Sequence, residues 1–224
     1  MASPQNPGLP EWYPGGVVYD PFVDPNAYGP ARQETLRLFA SLEPGSRILD
    51  LAGGYGRYAE PLANAGHHVT VLDIDPTHLA EAKRRGATLS PGTGSIQTIQ
   101  ADILAYDPSA ELEPFDGGLC AGFIYLAPED VVREVFKRYA SCIRRGGLVA
   151  TEFATERDRR TADDEPLVGP NEKNYSLAAG ELLMRQVYRE NGCGEPNIAT
   201  ATIRQVKPYI LRTELLIASG QRQV

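Results

Sequence analysis

Short apolar runs alternate with amphipathic stretches along the first two-thirds of the chain. Apolar runs typical of buried strands cover residues 47–51, 68–73, 115–121 and 148–153, and an alternating pattern predicts a further strand over 95–100. Between them, apolar positions recur every three or four residues, which predicts helices over residues 31–42, 55–65, 76–85 and 128–143. This alternation predicts a parallel sheet with helices on both of its faces.

The pattern changes after residue 153. Residues 154–175 are polar with little periodicity, and we interpret them as a long loop or lid. A helix is predicted over 177–190. Two alternating runs, 198–206 and 209–218, are joined by Lys207-Pro208 and predict an antiparallel hairpin that closes the sheet.

The composition is that of a single globular domain. The chain has 224 residues, of which 42% are hydrophobic, enough for one α/β domain spanning 1–224. Within it we predict an N-terminal tail or lid over 1–30, a core over 31–153, and a lid loop, helix and hairpin over 154–224. The net charge of −7 argues against a nucleic-acid partner.

The cysteines, the histidines and the N-terminus exclude several other classes of protein. Three widely spaced cysteines and three histidines form neither a disulfide framework nor a zinc pattern, so no metal is expected. Residues 1–14 lack the charged and apolar regions of a signal peptide, and no apolar run has the length of a membrane span. We therefore expect a cytoplasmic protein with no membrane contact.

A glycine-rich turn follows the first predicted strand and precedes a helix. Gly53, Gly54 and Gly56 allow positive φ angles and a close approach of a ligand to the backbone. The helix N-terminus behind them favours an anionic group. The spacing differs from the G-x-G-x-x-G fingerprint of dinucleotide-binding proteins, which argues against NAD. Taken alone, the glycines are also compatible with a tight strand–helix turn that binds nothing.

Two acids accompany this turn. Asp50 lies in the strand, two residues before the turn, where it can reach the amino end of an amino-acid-like ligand. Asp73 ends the second strand about 20 residues later, the usual distance of an acid that binds ribose hydroxyls. Asp75 is a competitor for that role, although it is better placed to cap the helix that Pro76 begins.

A third acid follows the third strand. Asp102 is placed to accept a hydrogen bond from an adenine amino group, and Ile103 to cover the ring. An aspartate after a strand is also a common turn residue, so this signal is weak by itself.

The ordered set of these motifs resembles class I S-adenosylmethionine-dependent methyltransferases. Leu49–Asp75 is similar to motif I of the family and its acidic partner. Gln100–Ile103 resembles the adenine-contacting turn, and Phe115 to Leu148 resembles the fourth strand, its helix and the fifth strand. The resemblance covers roughly residues 31–153 and implies a Rossmann-like, doubly wound α/β fold: a mostly parallel seven-stranded sheet with an antiparallel C-terminal strand.

The resemblance also implies S-adenosylmethionine as the cofactor. It places Gly54 and Gly56 near the methionine part, Asp73 at the ribose, and Asp102 with Ile103 at the adenine. Ala52 departs from the family by standing at the first glycine position, and Arg57 is open between a ligand role and a place on the helix surface. The complete predicted cofactor set is Tyr28, Asp50, Ala52, Gly53, Gly54, Gly56, Asp73, Ile74, Asp102, Ile103 and Cys120.

The candidate catalytic residues are Tyr125 and Glu152, which follow the fourth strand and end the fifth. In the family, the position of Tyr125 often lines the substrate pocket. Glu152 is placed to bind a substrate amine or to take its proton. Both are also compatible with simple packing, as are Tyr19 and Tyr28 in the tail. The three histidines are interpreted as surface or packing residues.

The predicted function is methyl transfer to a nitrogen or oxygen of a small molecule. Without a strong general base, an amine, a thiol or an acidified hydroxyl is the favoured acceptor. Cys120–Phe123 lacks the Asn/Asp-Pro-Pro-aromatic signature of enzymes that methylate nucleobase amines. Two alternatives stay open: a dinucleotide-dependent oxidoreductase, and a relative that binds the cofactor without methylating.

Overall fold

A computed structural model describes residues 29–161, 163–166, 173–205 and 210–224 of the chain. Its helices are α1 (Gly29–Phe39), α2 (Ala59–Asn64), α3 (Pro76–Ala87), α4 (Pro108–Glu111), α5 (Glu129–Ser141) and α6 (Leu177–Glu190). Its strands are β1 (Arg47–Leu51), β2 (His68–Asp73), β3 (Ser95–Gln100), β4 (Phe115–Ala121), β5 (Ile143–Arg160), β6 (Asn197–Gln205) and β7 (Ile210–Gln221).

The strands form a seven-stranded sheet in the order β3-β2-β1-β4-β5-β7-β6. Neighbouring strands from β3 to β5 are parallel, whereas β7 is antiparallel to β5 and β6 is antiparallel to β7. The predicted fold class is therefore confirmed, including the C-terminal hairpin. The order reverses at β1, and the carboxyl ends of β1 and β4 flank the crevice where ligands bind in such sheets.

Alternating side chains of the strands bury two apolar layers, one on each face of the sheet. In β1, Ile48 packs with residues of α2 and α3, whereas Leu49 packs with residues of α5 and α6. This period of two follows from strand geometry, and it explains why both neighbours in the strand are apolar. The helices contribute matching stripes, such as Val132, Val135 and Phe136 of α5.

Two element predictions require correction. The helix predicted over 55–65 begins only at Ala59, because Gly56 has a φ of +71° that is incompatible with a right-handed helix. The polar segment predicted as a loop from 154 continues β5 as far as Arg160, paired with β7. Its register shifts between Thr155 and Asp158, where Glu156 has a φ of +49°. This irregularity breaks the alternation that identifies strands.

Tyr188 of α6 fastens that helix to the centre of the sheet. Its ring is fully buried, and its hydroxyl lies 2.9 Å from the carbonyl oxygen of Ala218 and 3.1 Å from that of Val149. These contacts hold α6 against β5 and β7, because losing a buried hydrogen bond to a strand carbonyl costs free energy.

We expect Tyr188→Phe to lower the free energy of unfolding by about 1–2 kcal/mol, because the buried strand carbonyls lose a hydroxyl partner. Chemical denaturation followed by circular dichroism measures this change. Tyr106→Phe, at a half-exposed position, is the matched control and is expected to change stability by less than about 0.5 kcal/mol. Equal stability of Tyr188→Phe and the unmodified protein would contradict the assignment.

Candidate functional site

The turn after β1 departs from ordinary backbone geometry at three positions. Ala52, Gly54 and Gly56 have φ angles of +53°, +53° and +71°. Glycine adopts this left-handed region without cost, whereas alanine is strained there. The strained Ala52 is anchored by its backbone N–H, which donates to the carbonyl of Leu72 in β2 at 2.8 Å. The turn is thus held in a conformation that a simple strand–helix connection does not require.

Asp50 lies directly beneath this turn. A Cβ atom on Gly53 would stand only 2.6 Å from the Asp50 carboxyl carbon, so glycine is required there for the acid to fit. The Asp50 side chain is buried, and neither oxygen accepts a hydrogen bond from any residue that the structure describes. An unpartnered buried carboxyl group is costly, and it is the kind of group that a ligand satisfies.

The surroundings of Asp50 shift its ionisation. Burial raises the pKa of Asp50 to about 7; the positive charge of Arg57 opposes this shift, and the negative charges of Asp73 and Glu152 add to it. Cys120, on the neighbouring strand β4, is buried in the apolar layer, and burial with the nearby Asp50 raises the pKa of its thiol. Cys120 therefore lies beside the acid as a protonated thiol.

Asp73 at the end of β2 is held by two backbone amides. Its Oδ2 accepts from the Gly54 N–H and its Oδ1 from the Asp75 N–H, both at 2.9 Å. These bonds fix the carboxylate next to the glycine turn and leave lone pairs for a ligand. Asp75 itself caps α3 by accepting from the Thr77 N–H at 2.8 Å, as the sequence indicated.

Six of the predicted cofactor residues line one cavity of ≈ 150 Å³. They are Ala52, Gly54, Asp73, Ile74, Asp102 and Ile103. Asp102 Oδ1 accepts from the Leu104 N–H at 2.9 Å, which fixes its carboxylate at the start of the turn after β3. The cavity thus combines two carboxylates with a mostly apolar lining, a composition typical of small-molecule sites.

Other predicted cofactor residues lie around this cavity. Gly53 covers Asp50, and a Cβ on Gly56 would stand 3.1 Å from the Cβ of Ala82, so Gly56 allows α3 to pack closely. Tyr28 lies outside the described residues, as does Tyr19. The cofactor set predicted from the sequence omits His78, Phe123, Leu126 and Val135, which also line the cavity. Phe123 follows β4, at the edge of the sheet where the ligand was expected, and both Phe123 and Val135 also pack in the core.

Tyr125 lies after β4, beside the cavity. A Cβ on the cavity-lining Gly122 would stand 4.0 Å from the Tyr125 hydroxyl oxygen. The guanidinium carbon of Arg157 lies 4.1 Å from the centre of the Tyr125 ring, a cation–π contact, and the Lys173 N–H donates to the Tyr125 carbonyl at 2.8 Å. These contacts fix the ring between the end of β4 and the extension of β5.

Glu152 of β5 is buried on the face that packs against α1 and α2. Its Oε2 accepts hydrogen bonds from the hydroxyls of Thr35 in α1 and Tyr58 at the start of α2. Burial raises the pKa of Glu152, while the positive charge of Arg57 and the two hydroxyl donors oppose that shift. Glu152 therefore connects two helices to the middle of β5, and it is not among the residues that line the cavity.

Arg57 points toward the buried acids. Its guanidinium carbon lies 5.2 Å from the centre of the Tyr58 ring, and its charge lowers the pKa of both Asp50 and Glu152. Of the two roles left open for Arg57 by the sequence, this placement favours an electrostatic role at the site. The guanidinium carbon of Arg32 in α1 lies 6.0 Å from the centre of the same Tyr58 ring.

In the part of the chain that the structure describes, no group of three or more histidine, cysteine, aspartate or glutamate side chains is arranged to hold a metal ion. Among the same residues, no helix combines the length and the apolar character that crossing a membrane requires.

Comparisons with known sequences point to methyltransferases. A family model described as a methyltransferase domain matches residues 48–147. A ubiquinone biosynthesis O-methyltransferase of Xylella fastidiosa (strain M23) is 34% identical over 106 residues, which are 46% of this chain and 40% of that protein. The putative methyltransferase YqeM of Bacillus subtilis (strain 168) is 30% identical over 138 residues, 59% of this chain and 51% of its own length. The chain thus spans about half or less of the length of these relatives.

Solved structures share the fold. The N-methyltransferase NodS from Bradyrhizobium japonicum WM9 has a TM-score of 0.63 at 19% identity and covers 90% of this chain and 99% of its own. Magnesium protoporphyrin IX methyltransferase from Synechocystis PCC 6803 with bound SAM has a TM-score of 0.60 at 20% identity, covering 87% and 80%. At such identities the likeness shows the fold. Together with the domain match, it confirms the resemblance inferred from the sequence.

We expect Asp50→Asn to stabilise the ligand-free protein at alkaline pH. The folded protein raises the pKa of Asp50 from 3.8 to about 7, so its contribution to stability is full below pH 3.8 and is lost as the pH rises through about 7. Removing the charge should therefore add on the order of 2 kcal/mol at about pH 8 and nothing near pH 4.

Thermal unfolding of both proteins across this pH range measures the difference. Asp130→Asn, an exposed position on α5, is the control and should leave the pH dependence unchanged. A variant that is less stable than the unmodified protein at about pH 8 would show that the Asp50 carboxylate is compensated within the fold.

Proposed function

We propose that this chain, which matches a methyltransferase domain over residues 48–147 and shares its fold with solved methyltransferases, binds S-adenosylmethionine and transfers its methyl group to a nitrogen or oxygen of a small molecule. The observation that carries the proposal is Asp50, a buried carboxyl group without a hydrogen-bond donor among the described residues, beneath a glycine turn whose Ala52 and Gly54 line a cavity. S-adenosylmethionine has an ammonium group that would supply the missing donor.

The remaining parts of the cavity fit the rest of that cofactor. Asp73 offers the free lone pairs of a fixed carboxylate to the two ribose hydroxyls. Asp102 is placed for the adenine amino group, while Ile74 and Ile103 provide apolar surface on either side of a flat ring. Arg57 lies near the acids and offers a positive charge to the cofactor carboxylate.

The order of acids and glycines also argues against a dinucleotide. Asp50 would face a pyrophosphate if one were bound at this turn, and two negative groups brought together out of water repel each other. An amino-acid end, with its ammonium group, suits the same position. The proposal therefore explains the carboxyl group that a nicotinamide cofactor would leave unexplained.

The sulfonium methyl of the bound cofactor is chemically activated, so the protein has mainly to orient an acceptor and exclude water. Tyr125 is the first candidate to do so, because its hydroxyl lies beside Gly122 at the edge of the cavity. Glu152 stays a second candidate for binding or deprotonating the acceptor. To reach its Oε2, an acceptor would have to replace the hydroxyl of Thr35 or Tyr58.

The proposed acceptor is a small molecule with an amine or an acidic hydroxyl. Relatives and structural neighbours of the chain are named O- and N-methyltransferases. Of the three histidines, His67 directly precedes β2, His68 begins it, and His78 faces Asp73 and Asp75. An acceptor whose nucleophile needs little deprotonation suits such a site.

We expect isothermal titration calorimetry to detect binding of S-adenosylmethionine and S-adenosylhomocysteine and no binding of NADH. Asp73→Ala should weaken S-adenosylhomocysteine at least about 30-fold, since two hydrogen bonds to a charged group are lost. Asp107→Ala, which removes a cap from the short helix α4, is the control. A folded protein that ignores both adenosyl ligands, or that binds NADH instead, would refute the proposed function.

We expect Tyr125→Phe to lower kcat by about tenfold or more, because the hydroxyl acts on the acceptor. The dissociation constant of S-adenosylhomocysteine should not change. Transfer of labelled methyl groups to a panel of small phenols and amines identifies the acceptor for this assay. Tyr106→Phe serves as the control. An unchanged kcat would leave Tyr125 with a packing role, and a weaker cofactor complex would place it at the cofactor.

A further inference from the structure

The imidazole of His78 lies at the edge of the cofactor cavity between two carboxylates. Its Nδ1 is 3.6 Å from Asp73 Oδ1, and its Nε2 is 3.8 Å from Asp75 Oδ2. Each ring nitrogen thus faces its own acid. A neutral imidazole has one N–H and can serve only one of them, whereas the imidazolium has two and is attracted to both.

Other groups around His78 favour the same interpretation. The ring of Tyr55 packs on it with centroids 4.3 Å apart, and His78 lines the cavity with 24% of its side chain exposed. Burial and the positive end of the α3 dipole disfavour a cation here. The nearby carboxylates of Asp73 and Asp75 outweigh that burial, and the pKa of His78 is raised.

The local fold does not require this histidine. Asp75 caps α3 through the Thr77 N–H, and Asp73 is held by the amides of Gly54 and Asp75. These bonds are all made by the backbone and the acids alone. What His78 adds is a positive charge next to the carboxylate that, in the proposed function, receives the ribose.

We propose that His78 is a positioning residue for the cofactor ribose: its imidazolium orients the Asp73 carboxylate and compensates its charge when the ribose covers it. The inference rests on the proposed function, because the ribose belongs to the proposed cofactor. Covering Asp73 removes water, which makes its charge more costly and its attraction to a neighbouring cation stronger. Cofactor binding and protonation of His78 therefore reinforce each other.

The first test is a double-mutant cycle read by calorimetry with S-adenosylhomocysteine as the probe. At about pH 6, His78→Gln should raise the dissociation constant on the order of fivefold, as expected for a partly exposed ion pair. In the Asp73→Asn background the same substitution should have almost no effect. His68→Gln is the matched control, since His68 starts β2 at the opposite end of the strand from Asp73.

The second test is the pH dependence of that difference. The ratio of the dissociation constants of His78→Gln and the unmodified protein should fall from about fivefold near pH 6 toward one as the pH rises and His78 loses its proton. Asp50 titrates in the same range, with a pKa of about 7, but it is present in both proteins and cancels in the ratio. Asp73, Asp75 and Tyr55 are likewise shared.

A third readout needs no variant. In proton NMR of the unmodified protein, which has three histidines, the pKa of His78 should rise when S-adenosylhomocysteine binds. A ratio of one at pH 6, a ratio that does not change with pH, an equal loss in the Asp73→Asn background, or a lowered pKa would each overturn the inference. Failure of the unmodified protein to bind the probe at any pH would instead refute the proposed function.

Discussion

The burial of one carboxyl group, that of Asp50, is the constraint on which the site depends. The acid occupies the space beneath Gly53 that any larger residue would need, and it raises the cost of the ligand-free fold above about pH 7. Such a costly group is typical of a functional site, where an interaction with a ligand compensates for its burial. The left-handed turn above Asp50 supports the same interpretation. Its strained Ala52 lowers local stability, and the turn lets a ligand approach the backbone closely.

Charge at the site is organised around that acid. Asp50, Asp73 and Glu152 are all buried and lie near enough for the latter two to raise the pKa of the first, while Arg57 opposes them. Glu152 also joins α1 and α2 to the middle of β5 through Thr35 and Tyr58. The acid beneath the cofactor turn is therefore coupled through charge to Glu152, which is hydrogen-bonded to the first helix.

Much of this arrangement was predictable from the sequence, because apolar periodicity and glycine-acid spacing are local signals. The strands β1 to β4, the turn and the cavity residues from Ala52 to Ile103 follow from such signals. The face of the sheet on which the Glu152 side chain lies could not be predicted. Side chains alternate between the two faces along a strand, and the polar extension of β5 to Arg160 hides that alternation. His78 was set aside because its importance arises only when α3 brings it against Asp73, a contact that no sequence spacing reveals.

The most direct measurement is a crystal structure of the protein with S-adenosylhomocysteine. We predict that the ligand lies in the cavity with its ammonium group hydrogen-bonded to Asp50, directly or through one water. Its two ribose hydroxyls should donate hydrogen bonds to Asp73. A ligand whose amino end lies elsewhere, leaving both Asp50 oxygens without a donor, would contradict the central claim that this buried acid exists for the cofactor.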